Sequence, residues 1–262
     1  MKKKKSSAVV RCISVIAFIL IWQVFCMYNQ TAEVINPVFL PAPSEILQTM
    51  ISYFKQGLLF KNVFASLGRI GKGYILGVSL AVIVGYFMAK QQLLNDILDP
   101  IFGIISSIPP YAFCPLFIIW FGIGESSKVI LITYTTFMPM ISYTVQGVRS
   151  VDPLLIRSAK SLGANELQVF SNVVVPSALP FILNGMKVCL GLTFAALIVA
   201  EMMGASSGLG YIIVNARNWF LVSDMFLSMA LIALIYTIIK QILCLIEARV
   251  TRWKKSGMDA IE

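Results

Sequence analysis

The residue types that carry chemistry are few in this 262-residue chain, and they are scattered. There is no histidine, which removes the commonest general base and transition-metal ligand. The five cysteines, Cys12, Cys26, Cys114, Cys189 and Cys244, stand singly in apolar stretches without a CxxC pair, so neither a disulfide framework nor a metal cluster is expected. The run Glu201-Met-Met-Gly-Ala-Ser-Ser-Gly-Leu-Gly-Tyr211 raises the question of a phosphate cradle. No Gly-Lys-Ser/Thr ending follows it, and Ile213 stands where the dinucleotide fingerprint needs a third glycine. An enzyme would also need clustered carboxylates or a nucleophile beside a base, and neither is present. No catalytic residue, metal or cofactor is therefore expected. Two features remain. Glu201 is expected to brace its own glycine loop through a hydrogen bond, and Arg69 with Lys72 attracts an anion, marks a cationic helix end at the interface, or faces protein.

The elements that hold these residues belong in lipid. The chain is 58% hydrophobic and 13% charged, with a mean hydropathy of +0.84. A soluble globular protein is roughly 45–50% apolar and about 25% charged. The excess excludes a soluble enzyme, a disordered chain and a secreted binding domain. A net charge of +9 first suggests nucleic acid. The 21 basic residues instead cluster at 2–5 and 11, at 149–160 and at 249–255, between uncharged runs. That is the pattern of cytoplasmic loops on a bilayer, so lipid is the expected partner and nucleic acid is not.

About 20 apolar residues cross a hydrocarbon core of roughly 30 Å. Charge-free stretches cover 12–32, 73–89, 100–124, 129–148, 188–200 and 225–239, which reads as six transmembrane helices. The last two are short unless Lys187, Glu201, Asp224 and Lys240 sit at the interfaces. The second helix is expected to begin near Asn62. The first span exceeds a signal peptide's apolar core and lacks a small-x-small cleavage site, so it reads as a retained helix. With the amino terminus inside, six spans return the carboxyl terminus inside. The cytoplasmic side then holds Lys90, Arg149, Arg157, Lys160, Lys187 and the 240–255 group, against Lys55, Lys61, Lys128 and Arg217 outside. Glu201, Gly204, Ser206, Ser207, Gly208 and Gly210 become candidates for an external loop or gate.

The segments carry further signals. After the first span, 36–43 holds three prolines, and Ser44 is expected to N-cap a short amphipathic helix stopped by Gly57. That helix lies in the outer interface or on the protein's own rim. Gly73, Gly77, Ala81 and Gly85 recur every four residues, the spacing of close intramolecular helix packing or of a dimer seam. Pro109, Pro110 and Pro115 break an apolar run, as in helices that line a transport route; a plain structural kink is the alternative. In the longest cytoplasmic loop, Asp152 and Pro153 form an N-cap and first-turn pair. Gly163 ends that helix, and Asn165 with Gln168 caps a second one. Pro176 and Pro180 are expected to end it at the membrane surface. An ordered helix–turn–helix loop of this kind implies a docked partner.

These residues together resemble the membrane-spanning subunit of binding-protein-dependent ATP-binding-cassette importers. That family carries a cytoplasmic signature, E-A-A, three residues, Gly, nine residues, then I-x-L-P. Gly163 and Pro176 sit at that spacing, Ala159 matches the second alanine, and Val173 and Val175 replace the aliphatics. Arg157 stands in place of the acid and Ser158 in place of the first alanine. Leu67-x-Arg69, Asp99-Pro100, Ile108-Pro109, Pro115-Leu116, Trp120-Phe-Gly-Ile-Gly124 and the 201–211 run are similar to the nitrate/sulfonate/taurine branch. The resemblance covers about residues 60–250.

It implies an all-α membrane protein, six transmembrane helices of the type I ABC importer permease kind, with N and C termini cytoplasmic. Residues 1–59 form an N-terminal span plus an external amphipathic segment, and 60–250 form the permease core with a cytoplasmic coupling loop at 149–180. Residues 251–262 are a cytoplasmic tail. The resemblance further implies that Asp152, Arg157, Ser158, Ala159, Gly163, Ala164 and Pro176 belong to a loop set into a cytoplasmic ABC ATPase subunit. A second copy of the chain would complete the pathway, with Pro109, Pro110 and Pro115 beside it. An external solute-binding protein would deliver a small solute, and ATP would be hydrolysed in the separate subunit. A gradient-driven secondary transporter would instead call for internal repeats and intramembrane acids; no repeat is found and few acids fall within the spans.

Overall fold

The computed structural model describes residues 2–253, and every regular element in that range is a helix. The tail read over 251–262 lies outside the described residues from 254 on. Eleven α-helices follow one another: α1 (Lys2–Ala32), α2 (Pro43–Lys55), α3 (Leu58–Lys90), α4 (Gln92–Ser106), α5 (Cys114–Phe121), α6 (Glu125–Arg149), α7 (Pro153–Ser161), α8 (Glu166–Val169), α9 (Val175–Met202), α10 (Leu209–Asn218) and α11 (Val222–Val250).

The core is a stack of three long helices, α3 on α6 on α9, with α11 flanking α9. Lipid offers no hydrophobic drive for helix association, so close approach and shared hydrogen bonds hold them. The glycine stripe of α3 supplies the first: a Cβ on Gly77 would lie 2.7 Å from the Thr133 carbonyl oxygen, and one on Gly85 2.7 Å from Thr144 Cβ. Gly73 is seated against Ile132 in the same way, and Ala81 is fully buried. The stripe therefore packs within the chain, against α6. Threonines supply the second, as Thr136 and Thr193 share a hydrogen bond of 2.8 Å between α6 and α9. Each also bonds the carbonyl four residues back on its own helix, so both hydroxyls are satisfied.

Four helical segments are long and apolar enough to cross a membrane: 13–32, α3, 166–202 and α11. Gln92–Ser106 and Pro110–Phe121 form a fifth if taken as one span, bent by 86°. The sixth expected span lies in α6, which has 25 residues but is the polar helix of the set, with Thr135, Thr136 and Thr144 buried against its neighbours.

Several boundaries differ from the sequence reading. The amphipathic helix begins two residues earlier than a Ser44 cap allows: Pro43 takes the first position, where its missing N–H costs nothing. The Glu45 carboxylate accepts from the Ala42 N–H at 3.2 Å instead. Ser44 is occupied by α1, its N–H donating to Gln23 Oε1 at 3.1 Å. Helix α3 starts at Leu58 rather than near Asn62, directly after Gly57 at φ 72°. Pro176 and Pro180 do not end a helix, because 166–202 is continuous. A π-turn at Phe170–Val174 reaches the Val175 N–H back to the Phe170 carbonyl, and so resets the register just before the proline that lacks a donor.

Candidate functional site

The loop at 149–180 is a built object. Asp152 caps α7 by accepting from the Leu154 N–H at 2.8 Å, with Pro153 in the first turn. At the other end Gly163 adopts φ +85°, donating to the Lys160 carbonyl at 3.0 Å, while Ala164 N–H reaches the Ala159 carbonyl at 3.1 Å. These two bonds make a Schellman stop, which a glycine fits without strain. Asn165 and Gln168 then exchange side-chain-to-backbone bonds of 2.9 Å in both directions, a reciprocal capping box opening α8. Lys160 and Glu166 close the turn with an ion pair of 2.6 Å, and Lys160 holds the Glu166 carboxyl below the usual carboxylate range. Phe170 packs on Tyr86 of α3 with ring centres 4.7 Å apart, seating the loop on the bundle. Arg157 and Ser158 face outward from α7, beside Leu154, Leu155 and Leu162, the last 89% exposed. A rigid knob with an apolar, basic outer surface results.

At the opposite end of α9 the glycine run is locked to α3. Helix α10 opens inside the run, and three of its first N–H groups, which no helical carbonyl can reach, are captured by side chains. Gly208 N–H donates to Asn62 Oδ1 at 2.8 Å, Leu209 N–H to Ser66 Oγ at 2.9 Å, and Gly210 N–H to Glu201 Oε2 at 2.8 Å. Glu201, whose side chain is fully buried, also accepts from Ser66 Oγ and from Arg69 Nη1, each at 2.7 Å. It braces the loop as the sequence suggested, and its charge meets the positive end of α10. Gly208, at φ 127°, lies so close against the Glu201 carboxylate that no side chain fits there. Gly204 turns at φ 143°, and Ser206 stays exposed.

Arg69 is the hub. It grips Glu125 with two bonds of 2.7 Å, from Nε and Nη2, while Nη1 also reaches the Ser207 carbonyl at 2.7 Å. A guanidinium this committed, and only 4% exposed, faces protein rather than serving as a free anion receptor. Lys72 is exposed and takes no part. Arg69 pulls the Glu125 carboxyl down to about 2, outweighing the cost of partial burial. Asn62, Ser66 and Glu125 were not visible as site residues in the sequence: one heptad of α3 and the first residue of α6 meet the run only in three dimensions.

Between the two ends lies the break at Pro109 and Pro110. Helix α4 stops at Ser106, a short 3-10 turn spans Pro110–Phe113, and Pro115 sits in the first turn of α5. At the last turn of α4, Ser106 Oγ and Ser107 Oγ donate to the Gly103 carbonyl at 3.0 and 2.9 Å, beside the Ser107 N–H that it also accepts. Tyr134 of α6 donates to the Ile105 carbonyl at 3.3 Å.

Comparison with known proteins adds to this geometry. Residues 73–255 match the family model described as the binding-protein-dependent transport system inner membrane component. The chain is 37% identical over 229 residues to the taurine transport system permease protein TauC of Escherichia coli (strain K12), covering 85% of this chain and 83% of that protein. It is 34% identical over 238 residues to the putative aliphatic sulfonates transport permease protein SsuC of Bacillus subtilis (strain 168), covering 91% and 85%. Among solved structures, an inward-facing conformation of the MetNI methionine ABC transporter superposes with a TM-score of 0.63 at 20% identity, covering 75% of this chain and 98% of that chain.

Proposed function

Because the chain belongs to the family of binding-protein-dependent transport system inner membrane components, we propose that it forms the solute pathway of an ATP-driven importer. Two copies face each other, and each sets the loop around α7 and α8 into a cytoplasmic ABC ATPase subunit, where ATP is hydrolysed. An external binding protein hands the solute over at the end bearing the Glu201 bracket. Closure of the ATPase pair draws the two loops together and favours the outward-open arrangement; hydrolysis reverses it. Such a shift is driven only by the difference in affinity of ATP and the binding protein for the two arrangements. By likeness to the taurine and sulfonate permeases, the solute is a small sulfonate, nitrate or similar anion-bearing molecule.

The proposal includes six spans with both termini in the cytoplasm, α6 serving as the span wrapped in protein. Lys90, Arg149 and Lys160 gather at the loop end of the bundle, as the positive-inside rule requires of a cytoplasmic face.

One observation carries the reading: the loop is held rigid by a Schellman stop and a reciprocal capping box, yet presents Leu154, Leu155, Leu162 and Arg157 to solvent. Rigid, exposed apolar surface at a membrane face calls for a protein partner. The test is a mild-detergent pull-down of the tagged chain from its native membranes. The expected result is an ATPase recovered in equal amount, and its loss from a Gly163→Asp variant that remains in the membrane. A native chain that comes down alone, folded and reproducibly, overturns the reading.

A further inference from the structure

We propose that the cavity between the knob and the end of α3 binds the headgroup of an anionic phospholipid, whose acyl chains lie along the outer face of α3. The leaflet concerned, the cytoplasmic one, rests on the permease reading above; the lipid site itself is additional to that reading.

Four helices meet at this cavity, which has a volume of about 230 Å³. Lys90 comes from the last turn of α3, Val148 from α6, Ile156 and Lys160 from α7, and Glu166 from α8. Lys160 is spent on Glu166 at 2.6 Å, whereas Lys90 is in no ion pair among the described residues. The cavity thus sets two ammonium groups against one carboxylate, a surplus of one positive charge beside apolar walls. Basic pockets at the cytoplasmic end of membrane helices suit anionic headgroups. One phosphodiester charge balances the surplus. A zwitterionic headgroup would bring a further ammonium toward Lys90 and Lys160, which repel it.

The outer face of α3 provides the place for the chains. Leu76, Leu80, Ile83 and Phe87 are exposed and recur at spacings of four, three and four, and Lys90 continues the same stripe three residues on. Hydrocarbon contact ending in a cation is the order that an acyl chain and its phosphate need. Tyr86 packs on Phe87 and on Phe170, with ring centres 5.6 and 4.7 Å apart, so stripe and cavity share a wall. Drug-sized ligands occupy about 300–1,000 Å³, so the cavity takes a headgroup and leaves the chains outside. A soluble phosphate would meet the lysines but gain nothing from the stripe, which favours a lipid.

The test is native mass spectrometry of the permease–ATPase complex in non-ionic detergent. The complex is titrated with phosphatidylglycerol or phosphatidylethanolamine of identical chains, and with glycerol 1-phosphate as a soluble headgroup. The first phosphatidylglycerol is expected to bind about fivefold more tightly than phosphatidylethanolamine, the gain of one lysine facing an anionic lipid. Lys90→Gln should remove that preference. Ala89→Leu, which keeps every charge and a good helix former but fills the cavity, should remove it as well. Lys240→Gln, which takes an exposed lysine from the same membrane face outside the cavity, should leave it intact. Equal binding of the two lipids, a preference that survives Lys90→Gln or Ala89→Leu, or an equal loss in Lys240→Gln overturns the inference. Displacement of the lipid by an equal concentration of glycerol 1-phosphate overturns it too, because the site would then be one for soluble phosphate. If no ATPase co-purifies, the importer reading falls separately, and titration of the permease alone still decides the cavity.

Discussion

Arg69 and Glu201 show how one buried pair can organise a whole end of the molecule. Their 2.7 Å contact is shielded from solvent on both sides, so removing one partner leaves an uncompensated buried charge. Arg69→Met is expected to destabilise the protein by about 3–5 kcal/mol, seen as a fall in the detergent-solubilised unfolding temperature. Ser66→Ala, which loses both a donor to Glu201 and the acceptor of Leu209 N–H, should cost about 1–3 kcal/mol. Glu125 gives a pH signature. Its folded pKa lies near 2 against an ordinary value of 4.5, so the stability it adds is complete above 4.5 and drains away as the pH falls toward 2. Unfolding temperature measured across that window should fall in the native protein, with this component absent from Glu125→Gln. The sequence pointed to Glu201 and its loop because an acid beside glycines at a membrane edge is conspicuous. It did not point to Asn62 or Ser66, ordinary polar residues whose role comes from facing α10.

At the scale of elements, local chemistry was legible wherever it is written in neighbouring residues. Asp152, Gly163 and the Asn165–Gln168 pair specify caps whose partners lie within five positions, and the structure forms each of them. The small-residue stripe was legible as close packing, and only the partner, α6, had to come from three dimensions. Gly77→Val should therefore destabilise by about 1–3 kcal/mol, since its Cβ would press on a backbone oxygen that cannot swing away. Gly68→Ala on the same helix, with nothing within 4 Å, should be neutral or gain about 0.5–1 kcal/mol, and thermal unfolding of the two variants compares them directly. Prolines were the misleading signal. Pro109 and Pro110 do break their helix, but Pro176 and Pro180 do not: a π-turn resets the register just before Pro176, and Pro180 is carried inside the continuous helix. A rule that reads one residue cannot see a register change five residues earlier.

Across the described residues the molecule is a three-helix core with a basic, partly apolar knob at one end and an acid-braced loop at the other. Cysteines placed singly at Leu162 and Ser206, both exposed, should react with impermeant thiol reagents from opposite sides of intact and inverted vesicles. Reaction of both from one side would contradict the six-span arrangement. The helix that runs unbroken from Glu166 to Met202 links these ends directly. At a rise of 1.5 Å per residue its 37 residues make a strut of about 55 Å, so each degree of tilt at one tip displaces the other by about 1 Å. Its foot lies beside the Schellman turn and its head carries Glu201. On the importer reading proposed above, a displacement of the knob would reach the far surface along this one helix as along a lever arm.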